Sequence, residues 1–162
     1  MPYPPPDPSG LPPSVLDPRW LVPRTQGVLG RRAVAWLVDF VVIWVLIAVL
    51  AVIIAVLSVL TLGLAWGLYV ILVPGTGILY SAITVGGAGQ ATLGMRVLGL
   101  KAVDASTGGR IDAISAAVHA LFFYAAAATF ILWLLDVGLG LARSDRRLAH
   151  DLLVGVAVIR AV

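Results

Sequence analysis

Gly30-Arg31-Arg32-Ala33-Val34-Ala35-Trp36-Leu37-Val38-Asp39-Phe40 decides how this chain folds. It sets two arginines and an aspartate at the head of a long apolar run, and residues 40–95 contain no Asp, Glu, Lys or Arg. Asp39 is therefore the last charge before the chain enters a region without water. An ionised carboxylate there is costly and needs a partner or a purpose. Arg32 and Asp39 stand seven positions apart, about two helical turns and ~10.5 Å of rise. Both side chains thus leave the same face of one helix. Helical side chains lean toward the amino end, so Asp39 leans toward Arg32 while Arg32 leans away. Each needs a partner from elsewhere.

Working outward, the composition agrees with a membrane protein. The chain is 60% hydrophobic and 12% charged, where a soluble domain carries about 25% charged residues. Its 162 residues are one domain's worth of chain. There is no cysteine, which excludes disulfides and thiolate metal sites. The net charge of +3 comes from few residues in few places. It reads as membrane topology rather than as a nucleic-acid surface.

Nine of the ten prolines lie in residues 1–23. Residues 1–26 are read as a Pro-rich cytoplasmic tail without a signal-peptide core. Two readings stand: a disordered tail, or a polyproline II strap for a partner protein. Trp20, Leu21 and Val22 suggest an interfacial anchor. Residues 27–162 form the transmembrane domain, with spans expected at 33–60, 65–85 and 113–141. Pro74-Gly75 falls in the second span and is expected to bend or interrupt it. The break serves either as a packing kink or as an unwound ion-coordinating segment. Residues 97–103 have strand character and Thr107-Gly108-Gly109 makes a turn.

The basic residues give the orientation. Arg19, Arg24, Arg31 and Arg32 put the amino end in the cytoplasm, and Arg96, Lys101 and Arg110 put the central loop there too. A single crossing by the third segment would leave Arg143, Arg146, Arg147 and Arg160 outside. Residues 113–141 number 29, about 43 Å as one helix, whereas two full crossings need roughly 40 residues. A bent or re-entrant pair of short helices brings the tail back, and it lets Asp151 approach the head of the first helix. The expected fold is therefore an all-α membrane protein: a hairpin of two transmembrane helices, a third bent or re-entrant helical segment, and a short strand-like loop and tail.

Three stretches carry a family resemblance. Arg32-x2-Ala35-x3-Asp39 is the first. The second is Gly89-Gln90-Ala91-Thr92-Leu93-Gly94-Met95-Arg96-Val97-Leu98-Gly99-Leu100-Lys101-Ala102-Val103. The third is Arg147-x2-His150-Asp151 with the following Gly155 and Val158. Together they resemble the RDD family of bacterial membrane proteins, named for one arginine and two aspartates. Met95 stands where that family usually has lysine, His119 where arginine is typical, and Val156 where threonine is. The resemblance implies a multi-pass protein of the bacterial cytoplasmic membrane, with transport of an unidentified ligand and proton/sodium exchange in some members.

The candidate charge cluster, for a ligand or ion or as a structural clamp, is Arg32, Asp39, Asp151 and His119. Asp151 is nominated as the partner of Arg32, and His119 as the first donor for Asp39. Histidine at 119 serves as a neutral hydrogen-bonded group between helices or as a pH-dependent charge. Arg31, Asp136, Arg147, His150, Pro74 and Gly75 are secondary candidates. Adjacent His150 and Asp151 face different directions on a helix and make a poor metal pair by themselves. No nucleophile elbow or paired Glu is present, so no enzyme activity, cofactor or metal is expected. The partners expected are the lipid bilayer and other membrane subunits or further copies of the chain, with no nucleic acid. Function is open between ion transport and a non-catalytic accessory or assembly subunit of a larger membrane complex, for example a respiratory one.

Overall fold

The computed structural model describes residues 20–161. The expected tail strap lies mostly in residues 1–19, outside the described residues. A short helix α1 (Leu21–Thr25) leads into α2 (Val28–Leu60). At 33 residues, α2 is about 50 Å long and exceeds the ~30 Å hydrocarbon core. Arg31 and Arg32 sit in its first turns. After a tight turn and a 3₁₀ segment (Leu64–Leu68), α3 (Tyr69–Val85) returns against α2. Ile47, Ile54 and Leu72 pack between them, and the Tyr69 hydroxyl donates to the Ala51 carbonyl at 2.7 Å. The two stretches Val28–Leu60 and Leu64–Val85 are each long and apolar enough to span a membrane.

Pro74 lies inside α3 and does not interrupt it. The irregular turn comes earlier, at Leu64–Leu68. Pro74 is the sixth residue of α3, so the ladder loses one bond near its start. A side chain at Gly75 would meet nothing within 4 Å. Gly77 is the glycine that packing needs, because a Cβ there would run into the ring of Tyr124.

The third apolar segment is a bent pair. Helices α5 (Ala113–Ala127) and α6 (Phe130–Ala142) meet at 119°, between α4 (Leu93–Val97) in the central loop and α7 (Ala149–Val154) in the tail. At 15 and 13 residues, α5 and α6 are each only about 20 Å long, short of a crossing. The start of α5 backs onto the end of α3 at Gly86 and Ala113, while Tyr124 near its end lies against Gly77. Thus α5 runs antiparallel to α3 and stops near its middle. After the bend, α6 reaches α7, and α7 meets the first turns of α2. The pair dips in and comes back to one end of the bundle.

At that end lies a small antiparallel sheet of β1 (Leu100–Asp104) and β2 (Val156–Arg160), with Leu100 opposite Arg160. Alternation along the strands gives the sheet two buried faces. Ala102 and Val156, with Leu100 and Val158, turn to the helices. Val103, Ala157 and Ile159 turn to Leu21 and Trp20. Leu21 is 1% exposed and, with Trp20, covers the outer face of the sheet.

This topology fixes which loops share a side. The chain has no native cysteine, so single-cysteine labelling in oriented vesicles checks it. Thr107→Cys and Ala161→Cys should react together from one side, and Leu62→Cys from the other. Labelling of Ala161→Cys together with Leu62→Cys would show that the third segment crosses fully.

Candidate functional site

The end of the bundle that carries the sheet also holds the charged residues. Arg32 projects from α2 toward α7 and grips Asp151 with two hydrogen bonds, Nη1 to Oδ2 at 2.5 Å and Nη2 to Oδ1 at 3.0 Å. Such a fork-to-fork pair is the strongest geometry available to these two groups. Asp151 is completely buried and also accepts the Leu148 N–H at 2.9 Å, which closes the first turn of α7. Burial alone would raise its carboxyl. The Arg32 guanidinium, followed by the hydrogen bonds of His119 and Arg32, outweighs that and holds it well below the usual carboxylate range.

His119 reaches Asp151 rather than Asp39, with Nε2 2.8 Å from Oδ1. The expected pairing of His119 with Asp39 is thereby corrected. Asp39 is buried at 8% exposure and is served by other elements. Its Oδ1 accepts from the Tyr80 hydroxyl at 2.6 Å and the Gly94 N–H at 2.8 Å, and its Oδ2 from the Thr92 hydroxyl at 2.6 Å. Tyr80 in turn accepts the Leu93 N–H, and Thr92 the Met95 N–H at the head of α4. Asp39 thus ties α2 to α3 and to the central loop. The loop comes this close because position 94 is glycine: a Cβ there would strike the Ala35 carbonyl and the Asp39 carboxyl.

The secondary candidates separate into two groups. Asp136 on α6 accepts both the backbone N–H of His150, at 3.0 Å, and its Nδ1, at 2.8 and 2.9 Å. The far nitrogen of His150 stands 3.4 Å from Asp151 Oδ1, and its ring lies 4.7 Å from that of His119. Arg32, Asp151, His119, His150 and Asp136 therefore form one continuous cluster drawn from α2, α5, α6 and α7. An apolar groove of about 450 Å³ between α5, α6 and α7 reaches it at Asp136 and His150. Arg31 and Arg147 serve the backbone instead. Arg31 donates to the Leu98 carbonyl at 3.1 Å, and Arg147 to the Val156 carbonyl at 3.1 Å. Pro74 and Gly75 lie in α3, apart from the cluster.

Tyr80, Thr92 and Gln90 are not among the candidate site residues read from the sequence, although Gln90 and Thr92 lie in the second of the stretches that carry the family resemblance. Gln90 donates to the carbonyls of Val85, Gly87 and Ile111 and accepts the Ile111 N–H, stitching the end of α3 to the start of α5. The available signal was polarity: Gln90 and Thr92 are uncharged polar residues inside an otherwise apolar stretch, where a buried polar group implies a partner.

The sequence matches the RDD family over residues 27–155. No curated protein and no solved structure matches the chain.

Arg32→Ala and Asp151→Ala should each destabilise the protein in detergent by ~3–5 kcal/mol, because each leaves a buried charge unpaired. The double variant should be little worse than either single one, and additive losses in thermal unfolding would show that the two are not coupled. Gly94→Ala should cost ~1–3 kcal/mol by the same measurement, since the obstruction is backbone and cannot swing aside.

Proposed function

The chain belongs to the RDD family, and from that membership we propose that it carries a small cation across the membrane as an oligomer, with the Asp151 cluster as the cation's station. The observation that supports this most is the placement of Asp151. Its carboxylate is wholly buried, yet groups from α2, α5 and α7 converge on it, and an apolar groove opens beside its neighbours His150 and Asp136. Ionisable groups within a membrane domain commonly mark ion pathways. Asp39, closed in by Tyr80, Thr92 and Gly94, is in this reading a structural clamp.

Two spans and one bent pair are too few to enclose a pathway, so several copies would share it. The charged end would face the cytoplasm. The positive-inside rule supports that side, because Arg31, Arg32, Arg96, Lys101 and Arg110 gather there and the turn at residues 61–63 has no charge.

A second reading has its own observation. Trp36, Phe40 and Trp44 form a ladder of rings 5.4 and 6.0 Å apart along α2, and all three are exposed. Such a face offers a large apolar surface for packing against helices of a larger complex, for which the chain would be an accessory subunit.

Reconstitution separates the two. Purified protein in proteoliposomes carrying a pH-sensitive dye should couple a sodium gradient to proton movement, and Asp151→Asn should return the signal to that of empty vesicles. No cation flux, together with stoichiometric co-purification with other membrane subunits, would favour the accessory role.

A further inference from the structure

His150 lies between two carboxylates, one at each ring nitrogen. Its Nδ1 is 2.8 Å from Asp136 Oδ2, and its Nε2 is 3.4 Å from Asp151 Oδ1. A neutral imidazole donates from one nitrogen only. With Nδ1 facing Asp136, Nε2 is the ring nitrogen left beside the Asp151 carboxylate, at a distance that leaves room for a bound ion between them. His119 brings a second Nε2 to the same oxygen. The ligand atoms of His119, His150 and Asp151 all lie within 4.8 Å of one another.

We infer that His119, His150 and Asp151 form a binding site for a divalent transition metal of the zinc class. Zinc bonds of about 2.0–2.1 Å in tetrahedral array put neighbouring ligand atoms roughly 3.3 Å apart. The observed edges of 2.8 Å from His119 and 3.4 Å from His150 to Asp151 Oδ1 bracket that spacing. Behind His150, Asp136 holds Nδ1 and leaves Nε2 as the ligating nitrogen, the outer-shell carboxylate arrangement common to metal-binding histidines. Two imidazoles and one carboxylate oxygen suit zinc, nickel or copper over magnesium or calcium, which take oxygen ligands. Arg32 keeps its bond to Asp151 Oδ2, so the metal would take Oδ1. With the ion bound, the Asp151 and Asp136 carboxylates face it and the Arg32 guanidinium, which leaves the cluster one positive charge to be met by an anionic fourth ligand such as hydroxide. Three protein ligands leave one position for water or an exchanging ligand.

The inference rests on the transport reading to the extent that it names the cation for the same cluster. Its test uses the full-length chain, purified in mild detergent with a tag that contains no histidine and titrated with Zn²⁺ against a chromophoric chelator. The wild type should take up one Zn²⁺ per chain. Asp112→Asn, at the exposed start of α5, should bind like the wild type. Affinity should fall by roughly 10–100-fold in Asp136→Asn, as for loss of an outer-shell partner, and further in His119→Gln. Cobalt loading of the wild type should give the visible bands of a four-coordinate ion, a readout that does not depend on any variant folding. Absence of those bands with no Zn²⁺ uptake, or equal affinity in His119→Gln, would overturn the site. Sodium-coupled proton movement without metal uptake overturns the metal assignment alone. Metal uptake without any cation flux in vesicles supports the site and overturns the transport reading.

Discussion

A carboxylate shut off from both water and lipid must be matched by donors, and the whole return of the chain serves that need at Asp151. Its guanidinium partner, Arg32, lies 119 residues earlier. Neither group can stay unpaired at the edge of a hydrocarbon layer without a penalty of several kcal/mol. The tail therefore has to reach the first turns of α2, and it can do so only if the apolar segment before it turns back. The 119° bend between α5 and α6 makes that return.

Bends and loops beside a membrane expose backbone groups that lipid cannot satisfy, and here each irregular place has its own partner. Gln90 takes up the carbonyls between α3 and α5. Asp112 caps α5 by accepting the N–H groups of Ile114 and Ser115. Asp39 receives the N–H of Gly94 and, through Tyr80, that of Leu93. The loop and the tail satisfy each other through the ladder of β1 and β2. Within the spans the hydroxyls of Ser58, Thr76 and Thr84 bond back to carbonyls of their own helices. Polar chemistry is thereby concentrated at one end of the bundle, and the opposite turn is left almost wholly apolar.

The sheet links the two halves of this design. Because β2 follows α7 directly and pairs with β1, it sets where α7 lies relative to the central loop. Arg147 adds a tie from the tail to the Val156 carbonyl, and Arg160 donates to the Gln26 carbonyl ahead of α2. Two elements of five residues each would not be stable alone. Covered by Leu21 and Trp20 on one face and by the helices on the other, they hold their register.

Some of this was determined by the sequence alone. A charge-free run of residues 40–95 admits hardly any structure but helices crossing lipid, because every backbone group must be satisfied within its own segment. The basic residues and the length of residues 113–141 together favoured a third segment that returns, without excluding one that crosses. A returning third segment puts Arg32 and Asp151 at the same end and so nominated them as a pair, as the tertiary structure has them. What the sequence could not determine was register between segments. Polar residues on α3, α4 and α5 were all eligible donors for Asp39, and nothing local ranks Tyr80 and Thr92 above His119. Pro74 suggested a break, but its effect depends on how close it falls to the start of its helix. His150 and Asp151 look unpromising as neighbours on one short helix. Only the folding of α5 and α6 around α7 brings His119 and Asp136 to them, because contacts between helices are set by packing across the bundle and not by spacing along the chain.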